Sequence, residues 1–387
     1  MIQKMKKQYL LGIAIVLFFI LFKIGDWLAQ RKPLWNDEVY TQIYTLDDNS
    51  YLDILRIRFL EGNSCPLFYI IQKAMCDLAQ YRFPHEWHQE WLVSDLKSQR
   101  FLRIPSNIFM SFSLVLIFYF FSRYYSLGTG LYSFLVSLSS YMVWVYWVEA
   151  RPYAIWFFLT TAQALIFLVM IKEKQKCSHL WPWLSVIHVL LSLTVIVSIA
   201  QITIVSFLLW FLKEKQWKKY IVLTAIPVGL CFFYYSQSPI LAYWLRDPAQ
   251  LLYYNFPRAW IIFFFVYGIM LFLREKTKIL NSYSDKTKRE GAGFFVFLAL
   301  MLVASLALLG ILKMRADPVN YLAVVDPRYF IYLTPIGIIA ITLFSVDFMR
   351  AFKENRWMKI NLVVGLGGML VVCFLKTYSD LIALAVY

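Results

Sequence analysis

Residues 172–219 read KEKQKCSHLWPWLSVIHVLLSLTVIVSIAQITIVSFLLWFLKEKQWKK. An apolar stretch from Trp181 to Leu212 lies between Lys172, Lys174 and Lys176 on one side and Lys213, Lys215, Lys218 and Lys219 on the other. It is too long for one membrane-crossing helix of about 20 residues, yet it divides into two short ones. Lys and Arg collect on the cytoplasmic side of membrane helices. Lysines at both ends therefore say that the chain crosses outward and returns.

The same reading extends in both directions. Apolar runs place spanning helices near 9–29, 102–122, 127–147, 153–171, 181–198, 199–212, 219–236, 258–273, 292–313, 329–347 and 360–377. This predicts an all-α, polytopic transmembrane bundle of about 11 spanning helices. With the N-terminus inside, the inner segments are 1–8, 123–126, 172–180, 213–218, 274–291 and 348–359, nearly all rich in Lys and Arg. The C-terminus then lies outside. Lys4, Lys6 and Lys7 precede the run Tyr9 to Phe22 as in a signal peptide, but no small-residue cleavage site follows, which predicts a retained anchor.

Composition agrees with this class. The 387 residues are 60% hydrophobic and 16% charged, which a polytopic membrane protein tolerates and a soluble domain does not. The net charge of +15 sits in short clusters between apolar runs, so it orients helices and gives no reason to expect nucleic acid. Five scattered cysteines without a CxxC pair indicate neither a zinc site nor a disulfide scaffold. Cys65 and Cys76 share one loop, where they either pair or stay as free thiols. No Walker A or GxGxxG loop is present, so direct use of ATP or a dinucleotide is not expected.

The largest non-spanning region is the outer loop 30–101. Leu67, Ile70, Ile71, Ala74, Met75 and Leu78 recur at helical spacing, as do Tyr51, Ile54 and Leu55. Both segments read as short juxtamembrane helices that either cover the bundle or guide a substrate. The whole chain, 1–387, reads as one membrane-embedded domain without a soluble C-terminal domain.

Three polar clusters fall on the predicted outer face. Trp35-Asn36-Asp37-Glu38-Val39-Tyr40 follows the first helix. An acid pair in a loop is often just solvated, but a carboxylate here could also take a proton from an acceptor hydroxyl. Glu149-Ala150-Arg151-Pro152-Tyr153 lies where the third helix gives way to the fourth. Ionisable groups at such depth mark function or pairing, so the choice is an internal Glu–Arg salt bridge or an arginine holding an anionic ligand. Asp326-Pro327-Arg328-Tyr329 opens the tenth helix, where snorkelling is the bland account of Arg328. Arg103 begins the second helix and serves either as an anchor or as part of the site. His85 and His88, Asp47 and Asp48, and Tyr243, Trp244, Arg246 and Asp247 are weaker candidates, without metal-ligand or catalytic spacing.

These stretches, in this order, resemble the GT-C superfamily of polytopic glycosyltransferases, in its bacterial branch related to protein O-mannosyltransferases and the aminoarabinose transferase of lipid A. Trp35-Asn36-Asp37-Glu38 is similar to the family's acidic motif in the first outer loop. Cys65-Pro66-Leu67-Phe68-Tyr69 resembles its Pro-Pro-Leu-Tyr segment. Arg100-Phe101-Leu102-Arg103-Ile104-Pro105-Ser106 resembles its lead-in to the second helix. Trp147 to Tyr153 is similar to its Glu-x-Arg-Pro-Tyr motif, and Asp326 to Tyr329 with Pro335 adds a weaker late match. The family often has His-Pro where this chain has Ser64-Cys65.

The resemblance implies sugar transfer from a polyprenyl-phosphate donor to a hydroxyl of a lipid, glycan or protein, on the outer face of a bacterial cytoplasmic membrane. It implies Asp37 as general base and Glu38 as a group that orients the acceptor or binds a divalent ion. Glu149, Arg151, Tyr153, Arg103, Arg328 and Tyr329 then serve substrate binding, with Glu149 orienting Arg151. No cofactor is required by the sequence, and no metal ligand set stands out. The rival reading is a transporter or flippase of a lipid-linked saccharide. Transporters often carry broken helices and polar residues near the bilayer midplane, whereas the polar clusters here gather at one face. A non-catalytic scaffold would leave all three clusters without a reason.

Overall fold

The computed structural model describes residues 7–32, 34–47, 49–56, 65–81, 96–172, 179–212, 217–237, 248–276, 285–315, 327–352 and 356–385. Among them the regular structure is helical throughout, with no strand. His85, His88, Asp48, Tyr243, Trp244, Arg246, Asp247 and Asp326 lie outside the described residues.

The segment 30–101 follows α1 (Lys7–Ala29) and carries α2 (Asn36–Thr41), a π-helical turn (Gln42–Asp47), α3 (Tyr51–Leu55) and α4 (Leu67–Leu78). The bundle continues with α5 (Leu96–Tyr124), α6 (Leu127–Leu138), α7 (Tyr141–Tyr146), α8 (Tyr153–Lys172), α9 (Leu180–Ser192) and α10 (Ser198–Leu212). It closes with α11 (Trp217–Gln237), α12 (Pro248–Asn255), α13 (Arg258–Lys276), α14 (Asp285–Arg315), a 3-10 turn (Pro327–Phe330), α15 (Leu333–Ala351) and α16 (Arg356–Ala385).

Six of these helices are long and apolar enough to cross a membrane: Lys7–Ala29, Arg100–Tyr124, Tyr153–Lys172, Glu290–Leu308, Leu333–Ala351 and Trp357–Ile382. Among the described residues, shorter apolar helical stretches occupy 127–138, 180–192, 198–211, 223–234 and 258–273. Every apolar run read from the sequence thus contains helix; α6, α9 and α10, of 12, 13 and 15 residues, are shorter than a full span, whereas α11 and α13 have 21 and 19.

Several boundaries differ from the sequence reading. The run 127–147 is not one helix: it breaks between α6 and α7 at Ser139-Ser140, where Ser140 is extended. Ser137 and Ser139 donate their hydroxyls back to the carbonyls of Ser133 and Val136, the local bonding by which serine competes with a helix. The segment 274–291 is not a loop throughout, because α13 runs on to Lys276 and α14 starts at Asp285. The stretch 181–212 divides at residues 193–197, between α9 and α10.

In α4 the helix is where its spacing put it, but the buried face is Phe68, Tyr69, Gln72 and Cys76, while Leu78 is exposed. Gln72 faces inward because its amide has acceptors there: it donates to the carbonyls of Leu102 at 2.9 Å and Ala150 at 3.4 Å. Cys65 and Cys76 are both buried and free.

The bundle has two chemically distinct ends. At one, the amides of Cys65 and Leu67 donate to the carbonyls of Thr194 and Leu193, each at 2.9 Å, and so fasten the start of α4 to the turn between α9 and α10. At the other, Glu290 accepts from Tyr125 at 2.9 Å and pairs with Lys172 at 3.4 Å, while Arg350 lies 5.4 Å from the Tyr125 ring. Tyr267 donates to Asp347 beside them at 2.8 Å. Between the ends, α8 carries Thr160 and Gln163 and α10 carries Gln201, all buried. Thr160 donates to Gln201 at 3.2 Å, and neither amide atom of Gln163 has a hydrogen-bond partner.

Candidate functional site

Glu38 anchors the site. It stands in the first turn of α2, where an acid suits the positive end of the helix. Its Oε1 accepts from Arg103 Nε at 3.0 Å and from the Ala150 amide at 2.6 Å. Its Oε2 accepts from Arg103 Nη2 at 2.6 Å and from the Trp35 amide at 3.2 Å. A carboxylate offers about four lone-pair directions, so these four donors fill it. Nothing is left for an acceptor hydroxyl or an ion.

Neither side chain of the Glu38–Arg103 pair is exposed. Arg103 also donates through Nη1 to the carbonyls of Ala29, at 3.1 Å, and Lys32. One guanidinium therefore ties the end of α1, the start of α2 and the body of α5 together. Burial raises the Glu38 pKa, but the charge and hydrogen bonds of Arg103, the charge of Lys32 and the Ala150 amide outweigh it and hold the carboxyl below its ordinary value.

Asp37, the next residue, behaves differently. Its carboxylate is partly exposed and pairs with Arg328 Nη1 at 2.6 Å. The Arg328 guanidinium lies 5.1 Å from the Trp35 ring and 5.5 Å from the Tyr329 ring, which flank it as cation–π partners. The first and third polar clusters of the sequence thus meet directly.

The second cluster adjoins both. After the α7 end the chain turns through Trp147–Pro152 before α8 begins. Ser106 of α5 holds this turn by donating to the Glu149 carbonyl at 2.5 Å. Trp147 Nε1 donates to Asn107 at 3.1 Å, and Asn107 donates in turn to the Phe22 carbonyl of α1 at 2.9 Å. Arg151 is buried and donates to the Thr41 hydroxyl at 2.5 Å. Among the described residues no ion pair joins Arg151 to Glu149, so neither the expected salt bridge nor the orienting role read for Glu149 has its contact here.

Glu149 is buried, and its Oε1 has no hydrogen-bond partner. Burial drives its pKa up to about 7. The positive charges of Lys32, Arg328 and Arg151 oppose the rise, and the Glu38 charge adds to it. Such a carboxyl changes charge near neutrality. Tyr153, at the start of α8, is buried with its ring 4.9 Å from that of Tyr146.

The structure therefore gathers Asp37, Glu38, Arg103, Glu149, Arg151, Tyr153, Arg328 and Tyr329 at one end of the bundle. It adds Thr41, Gln72, Ser106 and Lys32, which the sequence reading missed. Each of these is a single polar residue in an ordinary local pattern, and its role exists only through a partner distant in the chain. Among the described residues no three His, Cys, Asp or Glu side chains converge closely enough to hold a metal ion. With Glu38 saturated and Asp37 paired to a cation, the acids here do not form a metal cage. No protein-family model, no curated protein and no solved structure matches the chain.

Proposed function

We propose that the chain is an integral-membrane glycosyltransferase that moves a sugar from a polyprenyl-phosphate donor to an acceptor hydroxyl, with inversion at the anomeric carbon. We read eleven crossings, with the N-terminus inside and the site on the outer face of a bacterial cytoplasmic membrane. The observation that carries the proposal is the ion pair of Asp37 with Arg328, partly open to solvent beside buried Arg151 and Glu149.

In this reading Asp37 takes the proton of the acceptor hydroxyl. The freed oxygen attacks the anomeric carbon as the bond from that carbon to the phosphate oxygen breaks. The phosphate leaves with the electron pair, and Arg328 and Arg151 stabilise its growing charge. Arginine suits this task because its planar fork matches phosphate oxygens. In the free protein Arg328 is engaged by Asp37. A donor phosphate competes for the same guanidinium and returns lone pairs to Asp37. Glu38 and Arg103 hold α2 in place rather than touch substrate.

A transporter of a lipid-linked saccharide is a second reading, favoured by Thr160, Gln163 and Gln201 buried between the two ends of the bundle. The deciding experiment reconstitutes the purified protein with a panel of polyprenyl-phosphate sugars and follows product by mass spectrometry of envelope lipids, glycans and proteins. Asp37→Asn should lower transfer about 10²–10⁴-fold, the usual worth of a general base, with donor binding retained. Undiminished transfer by this variant would rule out Asp37 as the base, and saccharide translocation without transfer by the unaltered protein would favour the transporter.

A further inference from the structure

A groove of about 860 Å³ runs between α1 and α7 on the outside of the bundle. Its lining includes Val16, Phe19, Ile20, Lys23 and Trp27 of α1, with Trp144 of α7 as the opposite wall. The α1 residues fall at i, i+3, i+4, i+7 and i+11, so they form one stripe along the helix. From Val16 to Leu28 the stripe is about 18 Å long at 1.5 Å per residue. One leaflet of hydrocarbon is about 15 Å deep, half of a ~30 Å core. The groove therefore reaches across about one leaflet.

Lys23 is the one cation in this lining, and the rest is almost wholly apolar. It is exposed, and it makes no hydrogen bond, ion pair or ring contact. A lysine near a helix end usually reaches out to the interface. Here that is awkward, because side chains on a helix tilt toward its N-terminus, which for α1 is the end away from the candidate site. Lys23 lies about 9 Å short of the end of α1 at Ala29. An ammonium held at that depth is costly, and the one acid on α1, Asp26, is turned to Gln30 at 3.0 Å and Arg100 at 4.0 Å. The groove between α13 and α16, about 590 Å³, offers a contrast: its lining includes no charged residue.

We propose that the α1–α7 groove is a binding site for one anionic phospholipid of the surrounding bilayer, its headgroup at the Trp27–Trp144 end, its phosphate paired with Lys23 and its chain running past Ile20, Phe19 and Val16. The charge selects the headgroup, and the stripe accepts the chain. Trp27 and Trp144 suit the boundary between chain and headgroup, where indole rings settle. Because the Trp144 and Trp147 rings pack 5.4 Å apart at a tilt of 46°, the bound lipid would brace the turn that carries Glu149 and Arg151. The site does not depend on the transferase reading.

The test uses the intact protein in mild detergent, offered equal phosphatidylglycerol and phosphatidylcholine with identical chains, and read by native mass spectrometry. Phosphatidylglycerol should be retained about five-fold over phosphatidylcholine, the factor one basic residue supplies at an anionic lipid surface. Lys23→Gln should erase the preference, Lys23→Arg should keep it, and Trp144→Ala should weaken both lipids alike. Asp37→Asn should leave retention unchanged, which separates this site from the proposed chemistry. Equal retention of the two lipids by the unaltered protein would overturn the assignment, as would a preference that survives Lys23→Gln. So would a polyprenyl phosphate that displaces phosphatidylglycerol at equal concentration only when Lys23 is present, since the groove would then belong to the donor. If Lys23→Gln fails to fold, the Lys23→Arg comparison and the competition on the unaltered protein decide the matter.

Discussion

Asp37 and Glu38 are adjacent in the chain, yet Glu38 ends in a sealed pair with Arg103 while Asp37 ends at the edge of solvent against Arg328. Successive residues of a helix point in directions about 100° apart. The first turn of α2 therefore sends one acid into the bundle and leaves the other at its surface. The division gives one carboxylate a fixed place and the other a freedom to react.

Glu38→Gln should destabilise the protein by about 3–5 kcal/mol, because it strands the Arg103 charge in a buried site. Arg103→Lys should be nearly as harmful, since an ammonium cannot reproduce the two-pronged pair and the bonds to the Ala29 and Lys32 carbonyls. Thermal unfolding in detergent checks both. Unchanged midpoints would mean that the pair contributes little.

The two buried acids should give opposite slopes with pH. Glu149 has its pKa raised to about 7, so the folded state holds a proton that the unfolded chain releases near 4.5. Its contribution is complete below about 4.5, declines as pH rises toward 7, and is then constant. Glu38 has its pKa lowered, so its contribution is present above about 4.5 and is lost as pH falls through its folded value. Unfolding midpoints measured from pH 4 to pH 8 should fall toward neutrality in the unaltered protein, and Glu149→Gln should flatten that fall. An identical pH profile in both would remove Glu149 as its source.

Gly25→Ala should loosen the site from a distance. A Cβ at Gly25 would collide with the Asn107 amide and come within 2.8 Å of Trp147 Nε1. Asn107 bridges α1 and Trp147, so the added methyl pushes on the turn that carries Glu149 and Arg151. Overpacking of this kind costs about 1–3 kcal/mol. A lowered unfolding midpoint with reduced transfer is expected, and a neutral variant would show that α1 can move away freely.

Orientation can be read by labelling. Trp35 and Tyr124 are exposed and belong to opposite ends of the bundle, and the four cysteines at 65, 76, 231 and 373 are buried. With Cys177 replaced by Ser, Trp35→Cys should react with a membrane-impermeant maleimide on intact cells, and Tyr124→Cys only after lysis. The reverse pattern would place the site in the cytosol and exclude an outer-face donor.

The helices were legible because apolar runs announce themselves by length, and basic residues between them mark their ends. The Ser139-Ser140 break was less visible, since a run of small polar residues in a hydrophobic stretch reads as tolerated until its backbone bonds are seen. The acidic and arginine motifs could be picked out by type, but not their partners. Nothing local in Asp37 points to Arg328, and nothing in Glu38 shows that the amide of Ala150 will occupy its last lone pair. Gln72 has nothing apolar to mark it as an inward position, and only the carbonyls of Leu102 and Ala150 make it one.

The Glu38–Arg103 clasp also has a consequence for how such a protein can change. It fastens together the two roots of the long excursion between α1 and α5, α2 on one side and α5 on the other. Residues spliced into or trimmed from the stretch between those roots would therefore leave Asp37 and Arg328 facing each other. Under the proposed transfer, new acceptor preferences could be tried out there by altering length alone, with Asp37 and Arg328 left untouched.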